Sequence, residues 1–239
     1  MLVQSEVKQI ITALAAGADQ RLFSAADWDS RLSGVPGSRV FMRQLRQEWQ
    51  PIAPPDDFCR KMVDVVREHL HKHNGAAHIW AHTLRVTGNA LQMASEADVE
   101  PQFAFLLGLF HDVGKLDEGI EGETHEEIGA RIATEVLSAT YSKSMVKLTA
   151  AVISKQASAV NPFTRLLHDA DKLDKIGATG IARRLSTEYG SRHVSTALRR
   201  VRAELENFRP MNYTFSKEMA EQKKDFTYTF LNAVSQWIE

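Results

Sequence analysis

The sequence predicts an all-α protein, and three observations carry that prediction. Apolar residues recur at helical spacing along most of the chain. Phe58, Met62, Val65, Val66 and Leu70 share one face, as do Ile128, Ile132, Val136 and Leu137, and again Phe226, Phe230, Val234 and Ile238. Runs that alternate apolar and polar residues with the period of a strand are missing. Glycines and prolines fall at a few boundaries between the periodic stretches.

Taken in order, MLVQSEVKQIITALAAGADQ reads as a short amphipathic helix. It has no basic segment before its apolar residues, so it does not read as a signal peptide. LSGVPG, 32–37, breaks this helical piece. PIAPPDD, 51–57, is the clearest linker, and Asp56 or Asp57 is placed to cap the helix that follows. Ile79, Leu84, Val86, Ala90, Leu91 and Met93 form a less regular stripe. ISKQASAVNPFTR, 153–165, reads as a helix end, a loop and a new helix start. The expected organisation is a helical extension of uncertain role over residues 1–55 and a helical domain over 56–239.

Composition sets the class. The 239 residues are 44% hydrophobic and 25% charged, with a net charge of −1. That balance gives no electrostatic reason to expect nucleic acid or an acidic membrane surface as a partner. No apolar run approaches the ~20 residues of a spanning helix. Cys59 is the single cysteine and cannot form an internal disulfide, which fits a reducing compartment. A soluble, cytoplasmic protein is expected.

Ionisable residues are embedded in this apolar helical sequence at four places. FAFLLGLFHDVGKLDE ends a core-like run on the pair His111-Asp112. Burying such groups costs several kcal/mol unless each finds a partner. HIWAHTLRV places His78 and His82 one turn apart on a helix face. THEEIGARIA carries His125, and LLHDADKLDKIGATGIAR carries His168, Asp169, Asp171 and Asp174. His69, His71 and His73 sit at an exposed-looking helix end, where the helix dipole favours cations. Two imidazoles and two carboxylates converging from different helices would suit Mn²⁺, Fe²⁺, Co²⁺ or Mg²⁺ in mixed N/O ligation. They suit structural zinc poorly, because thiolates are absent. A metal would satisfy both His111 and Asp112, and Gly114 would allow close approach beside them.

His82 in HTLRV, His111-Asp112 followed by Gly114 and Lys115, and Asp171 in DADKLDKIGATGIAR together resemble the HD-domain superfamily of metal-dependent phosphohydrolases, in particular its small bacterial members. The resemblance covers roughly residues 60–239. It implies a compact HD-domain helical bundle in which His82, His111, Asp112 and Asp171 bind a divalent metal ion. Asp169 would orient a ligand or cap a helix. Two departures stand out: Ile79 replaces an Asp in the first motif, and Lys155 stands near a position where relatives often have His.

The activity implied is hydrolysis of a phosphate ester or anhydride, with a nucleotide as the family-level substrate and a metal-activated water as nucleophile. Asp112 would bind the metal and accept a proton, and Lys115 would meet a phosphate. His125 would donate to the leaving group, bind substrate or hold a second metal. His78 could serve similarly. Arg183 and Arg184 could contact phosphates but read first as a basic solvated face. Two alternatives stay open: a di-iron oxygenase on the same fold, and a non-catalytic nucleotide sensor signalling through its N-terminal residues.

Overall fold

The computed structural model describes residues 5–7, 9–11, 32–35, 37–48, 52–72, 76–117, 122–188 and 194–235; at 76–78, 187 and 188 it describes the backbone alone. The all-helical expectation is borne out, with no strand among the described residues. The helices are α1 (Ser38–Glu48), α2 (Asp57–His71), α3 (Ala76–Met93), α4 (Pro101–Phe110), α5 (His125–Leu137), α6 (Lys143–Ile153), α7 (Pro162–Leu173), α8 (Gly177–Glu188), α9 (Val194–Glu206) and α10 (Thr214–Ala233). None of these is long and apolar enough to cross a membrane. Residues 153–165 do form a helix end, a loop and a new helix start. Ile238 lies outside the described residues, as do His73, His193 and most of the N-terminal stretch.

Contacts group the chain into two compact units. The first comprises residues 51–171 with 212–216. Its centre is α4, where Ala104 through Phe110 are all buried. α4 packs against α2, α3, α5 and α6, so a helix apolar on every side is what the position requires. Pro101 opens α4 at a position where a missing N–H costs nothing. Gly108 sets its distance from α3: a Cβ there would lie 2.5 Å from the Thr87 Cα. α2 begins on Asp56, whose carboxylate accepts the Cys59 N–H at 2.7 Å, and buries Met62, Val66 and Leu70. Val65, expected on that face, is 36% exposed.

Asp169 is the polar anchor of this unit. Its side chain is fully buried. Oδ2 accepts from the Asn212 N–H at 2.7 Å, the Tyr213 N–H at 3.2 Å and Ser216 Oγ at 2.6 Å. Oδ1 accepts from Asn212 Nδ2 at 2.7 Å and lies 2.9 Å from His168 Nδ1. Burial pushes this carboxyl up, but the hydrogen bonds outweigh it and hold it below the ordinary range. Asp169 therefore ties α7 to residues 212–216.

The second unit comprises residues 1–50, 172–211 and 217–239. Here α8 packs against α1 and α9. Phe41 of α1 meets Phe226 and Phe230 at ring-centroid distances of 5.8 and 5.9 Å. Glu48, at the end of α1, has a fully buried side chain. It accepts the N–H groups of Ala178 and Thr179 at 2.9 and 3.0 Å, and Thr227 Oγ1 accepts that of Gly177 at 2.8 Å. Opening N–H groups of α8, which lack helical partners, are thus satisfied from α1 and α10. Lys223 Nζ lies 3.2 Å from Glu48 Oε2 and donates to the Leu173 carbonyl at 2.8 Å. Residues before 51 thereby supply a buried anion to the GATG segment.

Candidate metal centre

The four expected ligands lie on, or directly after, three helices of the first unit. His82 lies within α3, His111 caps the C-terminus of α4 with Asp112 following, and Asp171 lies near the end of α7. Asn89 Nδ2 donates to the Ala170 carbonyl at 3.1 Å and fixes α3 against α7 beside Asp171. His82 Nε2 lies 3.3 Å from His111 Nε2, 3.4 Å from Asp171 Oδ1 and 3.7 Å from Asp112 Oδ2. His111 Nε2 is also 3.7 Å from Asp112 Oδ2. One ligand atom from each of His82, His111 and Asp171 falls within 4.8 Å of the other two. The two histidines are buried, at 1% and 8% exposure.

These residues fit a divalent ion. Bonds of about 2.1 Å at right angles put neighbouring ligand atoms about 3 Å apart, the scale seen here. The His111 Nδ1 lies 2.7 Å from the Gly108 carbonyl, which can only accept, so Nδ1 carries the proton and Nε2 points its lone pair at the cluster. Burial pushes His111 below its ordinary value, against the opposing pull of Asp112, and favours the neutral, ligating ring. For Asp112, burial acts upward, but His111, His82 and Lys115 outweigh it and keep the carboxyl below its ordinary value. A neutral imidazole and an ionised carboxylate are the forms that bind metal.

The loop after His111 carries the next groups. Gly114 packs on the start of α5: a Cβ there would lie 2.6 Å from the His125 carbonyl and 2.9 Å from the Gly129 nitrogen. That contact brings His125 to the loop. Lys115 Nζ lies 3.0 Å from His125 Nε2 and 3.4 Å from Nδ1. His125 Nε2 is 3.7 Å from Asp112 Oδ1, and its Nδ1 is 3.2 Å from Glu126 Oε2. Lys155 Nζ contacts the other Glu126 oxygen. Thr124 and Glu127 form a reciprocal cap that fixes this first turn of α5. Lys115 and His125 are thus brought beside the four candidate ligands. His78 falls in α3, but its side chain lies outside the described residues.

Other residues sit differently from the sequence reading. His69 is not at an exposed helix end: it is half-buried, and its Nε2 meets Asp117 Oδ2 at 2.8 Å. The pair lines a cleft of about 820 Å³ with apolar walls from Val65, Val66, Ile128 and Ile132. Periodicity alone could not show that the loop after His111 returns to α2. Arg183 and Arg184 are not simply a solvated face either; both are half-buried, Arg183 paired with Asp174 at 3.5 Å and Arg184 with Glu204. Glu126 was not singled out from the sequence. As the residue after His125 in THEE it reads as an ordinary acid at a helix start.

Comparison with known proteins bears on the fold. The HD domain family matches residues 79–176, which include all four candidate ligands. No curated protein matches the chain. Among solved structures, the fold is similar to a predicted HD superfamily hydrolase from an uncultured Thermotogales bacterium, at 28% identity and a TM-score of 0.56, covering 74% of this chain and 92% of that one. It is also similar to Bacillus subtilis YpgQ in complex with ADP, at 19% identity and a TM-score of 0.61, covering 75% and 94%. An HD-superfamily hydrolase from Bacillus thuringiensis matches at 21% identity and a TM-score of 0.59, covering 74% and 95%. Residues 79–176 of this chain match the HD domain family, and its all-helical fold is similar to that of small HD-superfamily proteins.

Proposed function

We propose that the protein is a metal-dependent phosphohydrolase that cleaves a phosphate ester or anhydride, with a nucleotide as substrate. The observation that carries this reading is the convergence of His82, His111, Asp112 and Asp171, with Lys115 and His125 beside them. The nucleotide is supported by the ADP held by YpgQ, a protein of the same fold.

His82, His111, Asp112 and Asp171 would hold the ion, with Mn²⁺, Fe²⁺, Co²⁺ or Mg²⁺ suited to the donor set. When bound, such an ion acidifies water and neutralises charge on phosphoryl oxygens. The chain's own residues do the rest. Gly108 orients His111 through Nδ1. Asp112 turns Oδ2 toward the two histidines and Oδ1 toward His125, and Oδ1 is the oxygen placed to take a proton. Lys115 offers its ammonium to a phosphoryl oxygen as a point charge. His125 lines the same side and meets the substrate or its leaving group. A reducing cytoplasm fits the single, buried Cys59.

A panel of nucleotides with Mn²⁺, scoring phosphate and pyrophosphate separately against an EDTA control, tests the proposal. EDTA-sensitive release of either product is expected and identifies the bond broken. No release from any nucleotide by metal-loaded protein would overturn the nucleotide assignment. Stoichiometric iron with O₂ uptake would replace the hydrolase with an oxygenase, and tight nucleotide binding without turnover would replace it with a sensor.

A further inference from the structure

Lys155 ends α6 in an unfavourable conformation. Its φ is +58°, the left-handed region in which a helix usually terminates on glycine. The backbone needs this geometry. The Lys155 N–H bonds to the Val152 carbonyl at 3.1 Å, and the Gln156 N–H bonds to Ala151 at 2.8 Å. A lysine side chain adds nothing to that turn. Instead it reaches Glu126, 29 residues earlier in sequence. Exposed ion pairs contribute little stability, and Lys155 is 75% exposed, so stability does not account for a lysine at this position.

Glu126 is different: only 16% of its side chain is exposed, and it faces His125. The nearest contacts of the His125 ring with Lys115 and Glu126 share a consistent assignment. An ammonium can only donate, so Lys115 Nζ meets an unprotonated ring nitrogen, and the nearer one is Nε2 at 3.0 Å. Nδ1 then carries the proton and donates to Glu126 Oε2 at 3.2 Å. Glu126 can only accept while it is a carboxylate. Burial pushes it up, but hydrogen bonds, that of Lys155 foremost, hold it below the ordinary range.

We propose that Glu126 and Lys155 are positioning residues: Lys155 pins Glu126, Glu126 fixes the His125 ring through Nδ1, and the fixed ring holds the Lys115 ammonium beside Asp112. This rests on the phosphohydrolase reading for its effect on rate, but not for its effect on the ring. Neither residue touches substrate in this arrangement, and Lys155 acts only through Glu126.

The test compares Lys155→Gly, Glu126→Ala, Glu126→Gln and the double variant Glu126→Ala/Lys155→Gly with the wild-type protein. Lys155→Gly should melt at or above the wild-type temperature, since glycine is unstrained at this φ. It should nevertheless lower kcat at least fivefold. The double variant should be no slower than Glu126→Ala alone. Lys155→Arg, which keeps a cation within reach of Glu126, should restore most of the rate. Ring ¹⁵N shifts of His125 should show protonated Nδ1 in the wild type and a tautomer mixture in Lys155→Gly and Glu126→Ala. Those shifts are read without turnover, so an inactive wild type would count against the phosphohydrolase and leave the ring assignment to stand or fall separately. Wild-type kcat in Lys155→Gly, effects that multiply in the double variant, a rise in KM alone, or unchanged ring shifts would each overturn the proposal.

Discussion

The Nε2 atoms of His82 and His111 stand 3.3 Å apart, although 29 residues separate the two histidines in sequence. Two buried imidazoles approach this closely only when one donates to the other or when both lone pairs face a shared cation. The Gly108 carbonyl accepts a hydrogen bond from His111 Nδ1–H, and Asp171 and Asp112 add carboxylate oxygens at 3.4 and 3.7 Å from His82 Nε2. A cation shared by all four would satisfy every group at once.

Removing one ligand should therefore abolish chemistry without unfolding the chain. Groups that only orient a metal ligand typically account for about 10–100-fold in affinity or activity. Loss of a ligand itself, in His111→Ala or Asp171→Ala, should exceed about 100-fold in metal-dependent turnover. The helical circular dichroism spectrum should survive. Full activity in either variant would remove these residues from the centre.

Acid should destabilise the metal-free protein through His111. Burial places its folded value below 6.5. Between that lower value and 6.5 the unfolded chain binds a proton that the folded chain does not, so stability is full above 6.5 and falls as pH drops through this window. In EDTA-treated protein the urea midpoint should be level above about pH 7 and decline below about 6.5. His111→Gln should lack that component of the decline. A decline of equal size in the variant would contradict the assignment.

Gly114→Ala should disturb the site more than the fold. The added Cβ would lie 2.6 Å from the His125 carbonyl, and overpacking of this kind costs about 1–3 kcal/mol. The loop must move away from α5, which separates Lys115 from His125. Turnover should fall at least about tenfold, since a misplacement near 1 Å can cost about 100-fold. Thermal melting beside initial rates checks both halves.

Glu48 offers a stability test away from the metal ligands. Its carboxylate serves Ala178, Thr179 and Lys223 inside the second unit. Glu48→Ala strands a buried ammonium, and breaking such a pair costs about 3–5 kcal/mol. Glu48→Gln keeps an acceptor for α8 and should cost less. Urea unfolding of the two variants gives the comparison, and equal stability of Glu48→Ala and wild type would refute the role.

The helices were legible in the sequence because their apolar faces repeat with helical period. His82, His111, Asp112 and Asp171 stood out because ionisable groups in core-like sequence demand partners, and the order of the motifs named the fold. Contacts between distant segments left no such trace. Glu126 looks like any acid at a helix start, and nothing local shows that Lys155, 29 residues later, reaches it. His69 reads as a helix-end histidine until Asp117 returns to meet it. Glu48 sits at the end of a polar-looking helix, and nothing local shows that it is buried beneath Ala178 and Lys223.

The most direct measurement is isothermal titration of Mn²⁺ into the metal-stripped wild-type protein and into Asp171→Ala. One ion per chain is expected in the wild type, with affinity lost by about 100-fold or more in Asp171→Ala, beyond what an orienting group supplies. Equal affinity and stoichiometry in the two proteins would show that the ion, if bound, is held elsewhere, and would contradict the metal centre on which the proposed function rests.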